Sequence, residues 1–440
     1  MKKYKIVYEK YKKDILEGFL LNHQALPSIR ESCQLLKVSQ TTVEHAYNKL
    51  VMEGYITNKP QIGYFVDIDE ERIQLHKQID QYQIHHEVLS YTYDFRSQTV
   101  SQDSFEMKVW KRYLKDVLDN MANMSTYGDS QGEYVLREAL CQYAYNVRGV
   151  LCHPDQILIG SNYQSLLFIL CGLFEKGTII GMEYQKNSQA KRVFESYGYQ
   201  IEMIKMNNDG IDMNDLRKHD IDVLYINSAS QGLKRKPISH QLKNDLLSYT
   251  QEKNIFIIED DYNGELTYAS KDRYALQGFS HNDNVIYCGS FSRLLLPSLR
   301  ISYLVFNKHY YQIYQQLKKQ YGPTASKLEQ LAFAQYIVDG YLQKHLKKLK
   351  KEYREKNKYM LKAIQKYIPY PYYLDEAYLC YHIQLDHINE SQLMQECQKQ
   401  HIAINSIHHH ILSISFASLQ LSEIENAIIL LSQIIKKSSR

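Results

Sequence analysis

Between residues 131 and 306, short apolar runs alternate with amphipathic segments, and this alternation restricts the fold more than any other feature of the chain. The runs are 156–160 (QILIG), 178–182 (TIIGM), 199–205, 222–227 (DVLYIN), 255–259 (IFIIE), 285–288 (VIYC) and 301–306 (ISYLVF). Helical periodicity marks 131–146, 163–174, 187–196 and 238–252. Strands that alternate with helices build a mostly parallel, doubly wound α/β sheet. Residues 308–366 read as long helices rich in Lys and Tyr. After them, 378–383 and 412–416 read as strands, and 391–400 and 421–437 as helices. The expectation is a large part over about 120–310 and a small C-terminal α+β part over about 311–440.

The first 66 residues follow another pattern. Val7, Tyr11, Ile15 and Phe19 recur every four residues and predict a helix over 4–20. Ser28 and Glu31 form a capping-box pattern that starts a second helix, with Ile29, Cys33 and Leu36 as its buried stripe. Ser39 is placed to cap a third helix, in which Val43, Ala46, Tyr47, Leu50 and Val51 share one face. The opposite face carries Gln40, Thr41, Thr42, Glu44, His45, Asn48 and Lys49. Gly54 ends it, and 55–57 and 64–66 read as a hairpin turned by Lys59, Pro60, Gln61 and Gly63. This is the element order of a winged helix-turn-helix. Short polar side chains at the start of the third helix suit base edges and phosphates in a major groove, and Arg30 and Lys59 suit the flanking backbone. Pattern alone leaves open a three-helix domain that binds protein.

Charge separates the two regions. The 440 residues carry 53 Lys+Arg and 49 Asp+Glu. Residues 1–66 hold 10 basic and 6 acidic residues, and 67–440 hold 43 of each, so the whole excess lies on the first region. Residues 67–92 are polar, lack Gly and Pro, and read as a linker. No stretch approaches the roughly 18 apolar residues of a membrane span. The N-terminus lacks the pattern of a signal peptide. Seven scattered cysteines without a C-x-x-C pair fit a reduced, cytoplasmic protein.

The runs L-P-S-I-R (26–30), V-S-Q-T-T-V-E-H-A-Y-N-K-L-V-M-E-G-Y-I (38–56) and G-Y-F-V (63–66) resemble the GntR-type DNA-binding domain. That resemblance places Arg30, Gln40, Thr41, Thr42 and Gly63 at DNA-contacting positions, with Lys49 and Lys59 as further basic candidates. Gln40 stands where that domain often has Arg, and Glu44 is acidic. The segments Y-D-F-R (93–96), 127–140, 148–159, 257–268 and G-S-F-S-R-L-L-L-P-S-L-R-I-S-Y-L-V (289–305) resemble the fold type I aminotransferase-like domain of the pyridoxal-phosphate (PLP) superfamily. The two together are the layout of the MocR family of bacterial regulators. The resemblance implies a DNA-binding transcriptional regulator that is a homodimer on a double-stranded operator, with a winged helix over 1–66, a linker over 67–92 and an aminotransferase-like body over 93–440.

By the same resemblance, Asp260 and Tyr262 match the pyridine-nitrogen and 3′-oxygen partners, and Ser290, Ser292 and Arg300 the phosphate cup. Arg293 stands where the family has the lysine that bonds to PLP. A guanidinium stays protonated and makes no such bond. The expectation is therefore a degenerate, non-catalytic domain, with PLP held only non-covalently if at all, and no residue assigned to catalysis or to a metal. Further departures are Gly160 to Ser165, Ser228 to Arg235, Asn187 in place of a turn tyrosine, and His408 to His410 where a carboxylate-binding Arg is expected. Two readings of the Asp260, Arg293 and Arg300 corner stay open: a site for a small anionic or amino-acid-like effector, or an internal salt-bridge network. The histidine run is open between metal ligands and an exposed loop. The eight basic residues between Lys344 and Lys358 are open between a solvated face and a second DNA contact. The alternative function is an active PLP-dependent aminotransferase with an ancillary DNA module, and a third is a body that serves only as a dimerisation scaffold.

Overall fold

Three helices and a hairpin make up the N-terminal unit: α1 (Lys3–Leu16), α2 (Ile29–Leu36), α3 (Gln40–Met52), β1 (Ile56–Lys59) and β2 (Gly63–Val66). The computed structural model describes residues 3–68, 71, 74, 91–96, 100, 105–183, 189–232, 235–261, 263–266, 274–280, 283–407 and 410–438. Most of the expected linker 67–92 lies outside them, as do Asn187, Tyr262, His408 and His409. The chain divides into two units, Met1–Leu89 and Ser90–Arg440.

In the first unit Val7, Tyr11 and Ile15 of α1 are buried against Val43, Ala46, Tyr47 and Leu50 of α3, while Val51 is half-buried. The helix is shorter than its apolar repeat predicts. It stops at Leu16, Gly18 adopts φ +82°, and Phe19 is 72% exposed. A glycine in the left-handed region ends a helix at little cost, and that local preference overrides the four-residue spacing. The capping box on α2 forms: Glu31 N donates to Ser28 Oγ at 3.2 Å and Ser28 N to Glu31 Oε2 at 2.7 Å. Ser39 occupies the N-cap of α3, but its hydroxyl pairs with Thr42 Oγ1 at 2.8 Å and Thr41 Oγ1 at 3.1 Å instead of capping the backbone. The hairpin runs Ile56↔Val66 to Lys59↔Gly63, and Gly63 at φ +132° is the turn residue that requires the absence of a side chain.

A seven-stranded sheet carries the second unit. Its strands are β4 (Ile157–Gly160), β5 (Ile179–Glu183), β6 (Gln200–Ile204), β7 (Val223–Asn227), β8 (Phe256–Asp260), β9 (Val285–Ser290) and β10 (Ser302–Val305), in the order β4-β10-β9-β8-β7-β5-β6. The bonded pairs among β5 to β9 are parallel, and β10 runs antiparallel to both β4 and β9. Helices cover both faces, as the run-and-helix alternation predicts. Helix α6 (Tyr163–Cys171) packs Leu166, Leu167 and Leu170 on Leu158, Ile258, Ile286 and Leu304. On the other face, α5 (Tyr134–Arg148) packs Leu136, Leu140 and Tyr143 on Ile157, Ile159, Tyr287 and Tyr303. Leu242 and Leu246 of α8 (His240–Glu252) cover Leu224, Ile226 and Ile257 beside it. Two further helices, α4 (Met107–Leu118) and α7 (Gln189–Ser196), occur earlier in the chain.

Helices α9 (Lys308–Leu317), α10 (Lys327–Val338) and the 27-residue α11 (Tyr341–Tyr367) lead to the small part. There β11 (Tyr372–Asp375), β12 (Cys380–Gln384) and β14 (Ile411–Ser415) form an antiparallel sheet, with α12 (Glu390–Lys399) and α13 (Ile424–Lys437). A parallel pair of β3 (Tyr93–Asp94) and β13 (Ile402–Ala403) joins the start of the body to its end. The basic run on α11 has Leu342, Leu346, Leu349 and Tyr353 inward and Lys347, Lys351 and Lys358 outward, while Lys356 is buried and donates to the Ala417 carbonyl at 2.9 Å. Among the described residues no helix is long and apolar enough to cross a membrane.

Inside the first unit the hydroxyls of Tyr11, Ser32 and Tyr47 form a buried chain of 2.7 and 2.8 Å that ends on the Pro27 carbonyl at 2.8 Å. Ser32 is fully buried. Ser32→Ala leaves two buried phenols short of a partner, which costs roughly 1–3 kcal/mol. Chemical denaturation of the full chain, followed by a probe in the first unit, should show that loss. No loss contradicts the hydroxyl chain.

Candidate functional sites

The start of α3 presents a polar turn to solvent. Gln40, Thr41, His45 and Asn48 are exposed, and Thr42 is half-buried. Gln40 Nε2 donates to Glu44 Oε1 at 2.9 Å, so the acid holds its neighbour's amide in place. Arg30, in the first turn of α2, is exposed, and so is Lys59 at the end of β1, whose amine lies 4.7 Å from the centre of the Phe65 ring. Lys49 differs from the others. Its amine sits 4.2 Å over the Tyr8 ring and 3.6 Å from Glu53 Oε1, so it is engaged within the unit. Gly63 lies in the hairpin turn.

In the body, strand alternation sorts three consecutive acids at the end of β8 onto opposite faces of the sheet. Glu259 and Asp261 lie on the α5 and α8 side. Glu259 accepts from Leu276 N at 2.6 Å and Gln277 N at 2.8 Å. Asp261 is fully buried and held by Arg148, the last residue of α5: Nε donates to Oδ2 at 2.6 Å and Nη2 to Oδ1 at 2.8 Å. The Tyr287 hydroxyl adds a third bond to Oδ2 at 2.8 Å. Gly264 has to be a glycine here, because a Cβ would meet the Asp261 carboxylate and come within 2.6 Å of Arg148 Nη2.

Asp260 faces the α6 side. It accepts from the Tyr225 hydroxyl at 2.5 Å, and the buried Tyr163 hydroxyl lies beside the pair. Burial pushes the Asp260 carboxyl up to about 7, with Asp261 and Glu259 adding to the rise and the Tyr225 bond opposing it. Burial raises the nearby Glu265 carboxyl to about 7 as well.

Register brings a second group close. Asp260 pairs with Cys288 across β8 and β9, two residues before Ser290. Ser290 pairs with Ser302 on β10, and their hydroxyls are 3.0 Å apart. Ser292 Oγ lies 3.3 Å from Ser290 Oγ, so three hydroxyls line the paired strand ends. Arg300 is exposed and joins no ion pair among the described residues. Arg293 is buried, and its Nη1 donates to the Tyr378 carbonyl at 3.1 Å. It reaches toward the β11–β12 turn, where Asp375 accepts from Ser230 Oγ at 3.0 Å and Tyr378 N at 3.2 Å. The structure thus assembles Asp260, Ser290 and Ser292, turns Arg293 to the small part and leaves Arg300 at the surface. Tyr262 lies outside the described residues. Sequence reading missed Tyr225, Tyr163, Ser302 and the Arg148–Asp261 pair. The available signal was the strand-end position of Tyr225, two residues before the partner of Asp260. His410 stands 3.1 Å from Glu390, and among the described residues no group of His, Cys, Asp and Glu has the arrangement of a metal site.

A free aspartate ionises near pH 3.9, whereas Asp260 in the fold ionises at about 7. The stability held by its neutral form is complete below the lower value and is lost as pH rises through the upper one. Asp260→Asn stays neutral and still accepts from Tyr225. The melting temperature of this variant should therefore gain on the parent as pH rises from about 5 to about 8. A constant difference contradicts the raised carboxyl.

Comparison with known proteins gives both units relatives. Residues 3–66 match the gntR family of bacterial regulatory proteins, and 93–429 match aminotransferase class I and II. The chain is 32% identical over 366 residues to the uncharacterized HTH-type transcriptional regulator YdeL of Bacillus subtilis, covering 82% of this chain and 79% of that one. It is 24% identical over 379 residues to the probable rhizopine catabolism regulatory protein MocR of Rhizobium meliloti, covering 82% and 77%. In fold it is similar to an archaeal alanine:glyoxylate aminotransferase, with a TM-score of 0.71 at 18% identity over 83% of this chain and 95% of that one.

Proposed function

We infer the role of this chain from one premise: it belongs to the MocR-type bacterial regulators, in which a GntR-family module is joined to a class I and II aminotransferase domain. It is an HTH-type transcriptional regulator. The reading for its DNA contacts rests on the exposed polar turn at the start of α3. Gln40, Thr41 and Thr42 read base edges and phosphates there, and Arg30, Lys59 and the Gly63 turn hold the flanking backbone. Lys49 contributes its charge at longer range, because its amine is held over Tyr8. The module carries the chain's whole net charge of +4. So modest an excess makes two modules on two half-sites necessary for tight binding, and a homodimer supplies them.

The body is a non-catalytic effector domain. When bound by an aminotransferase, PLP supplies an electron sink for amino-acid chemistry. The residues here fit the anionic part of such a molecule and not its covalent attachment. Ser290, Ser292 and Ser302 offer hydroxyls, Arg300 an exposed guanidinium, and Asp260 and Tyr262 match the ring partners. Arg293 occupies the position of the bonding lysine, has a guanidinium in place of the amine that such a bond needs, and donates to the Tyr378 carbonyl. The effector is therefore a small anion or a PLP-like molecule held without a covalent bond. The alternative of a working aminotransferase has the family match and the fold behind it, but no lysine at the bonding position.

Three outcomes follow for the full-length chain. Arg30→Ala combined with Thr41→Val should lower affinity for a selected operator roughly 10- to 100-fold while leaving the melting temperature unchanged. Equal affinity in a gel-shift assay overturns the DNA reading. Gel filtration should give a dimer, and a monomer at working concentration overturns the two-half-site account. Arg293→Lys, with PLP added, should gain the visible absorbance of a lysine-bound cofactor that the parent lacks, and a parent that already absorbs contradicts the non-covalent reading.

A further inference from the structure

Two of the seven cysteines stand apart from the rest. Cys171, Cys288, Cys380 and Cys397 are buried one by one, and Cys33 is in the other unit. Cys141, on α5, and Cys152, in the segment that leaves that helix, have their sulfurs 3.6 Å apart. Both side chains are only half-buried. Cys141 Sγ also donates to the Cys152 carbonyl at 2.8 Å, so the two residues are held against each other by more than chance proximity of side chains. A disulfide needs a sulfur separation of about 2.05 Å, so closure asks for a movement of roughly 1.5 Å. The segment between them is fixed at both ends of its course. Arg148 binds Asp261, and Gln277 brackets Leu151, accepting from its N at 2.9 Å and donating to its carbonyl at 2.7 Å. The pair is thus presented by a rigid frame.

We propose that Cys141 and Cys152 are a modification site of the body, a dithiol that peroxides convert to an intramolecular disulfide and that small thiols restore. Burial and the neighbouring Cys141 push the Cys152 thiol up, which disfavours its thiolate and suits it to the second, resolving step. The Cys141 sulfur gives up its proton and attacks one oxygen of hydrogen peroxide, the O–O bond breaks, and the departing hydroxide takes up that proton as water. Cys152 sulfur then attacks the Cys141 sulfenic acid, the S–O bond breaks, and hydroxide leaves with the Cys152 proton as a second water. Two thiols lose two hydrogens and two electrons, and one peroxide becomes two waters. The bridge closes a loop that contains Arg148, the residue that holds Asp261 beside the candidate anion site.

The test is peptide mapping of the folded, full-length chain after hydrogen peroxide, with free thiols counted in parallel. The expected result is a fall from seven thiols to five, with Cys141 and Cys152 recovered in one cross-linked peptide that dithiothreitol releases. Phenylarsine oxide, which bridges two close thiols, should label the untreated chain, and Cys141→Ser and Cys152→Ser should each abolish both the label and the cross-link. Recovery of Cys141 and Cys152 as separate peptides, reduced or individually oxidised, overturns the proposal, as does a cross-link through any other cysteine. Should a serine variant fail to fold, the mapping and labelling of the parent chain decide the matter alone.

Discussion

The bidentate contact of Arg148 with Asp261 is the constraint on which the body's candidate site rests. Two charges leave water together there, in a place where removing one partner strands the other at a cost of about 3–5 kcal/mol. The contact joins the last residue of α5 to the residue after β8, 113 positions later in the chain. It also decides what its neighbours are made of. Gly264 stays without a side chain, and Tyr287 supplies a third bond to the same carboxylate. The Arg148 guanidinium is bound to Asp261 on the α5 side and also acts on the neighbouring Glu265 carboxyl. Asp260, one residue earlier and on the other face, is left with a phenol as its bonded partner and is pushed up to about 7. One acid is tied into the frame by three hydrogen bonds, and the adjacent one stays responsive to what lies beside it.

The N-terminal unit follows a different economy. Its apolar core is small and is organised by a buried line of hydroxyls, while its polar turn is left to solvent. Part of the charge within it is paired along the helices, as in Lys10 with Asp14, Lys13 with Glu17 and Lys49 with Glu53. What remains for a polyanion is a few exposed groups, chiefly Arg30 and Lys59, around the start of α3. Specific contacts and two copies of the module then matter more than bulk attraction.

Much of the architecture was legible in the sequence because it depends on local pattern. All seven strands of the large sheet lie within two residues of their apolar runs, and the helices on its faces fall where the periodicity changes. The capping box at Ser28 and Glu31 was readable from four consecutive residues. Legibility fails where the decisive contact is distant or where two local signals compete. Phe19 keeps the spacing of α1, but Gly18 ends the helix before it. Ser39 sits at the cap, yet two threonine hydroxyls take its side chain. The antiparallel placing of β10, and the pairing of β3 with β13 across more than 300 residues, leave no trace in periodicity. Within the site, Asp260, Ser290 and Ser292 were nameable from motif resemblance. Tyr225 and Arg148 were not, because their roles arise only when the strand ends meet.

The central property of the body is that it takes its ligand without a covalent bond. The most direct measurement is the intact mass of the full-length chain after incubation with PLP and reduction by borohydride. The predicted result is an unchanged mass, since the position of the bonding lysine holds a guanidinium. A stoichiometric gain of one reduced cofactor, mapped to a single lysine of the body, contradicts it.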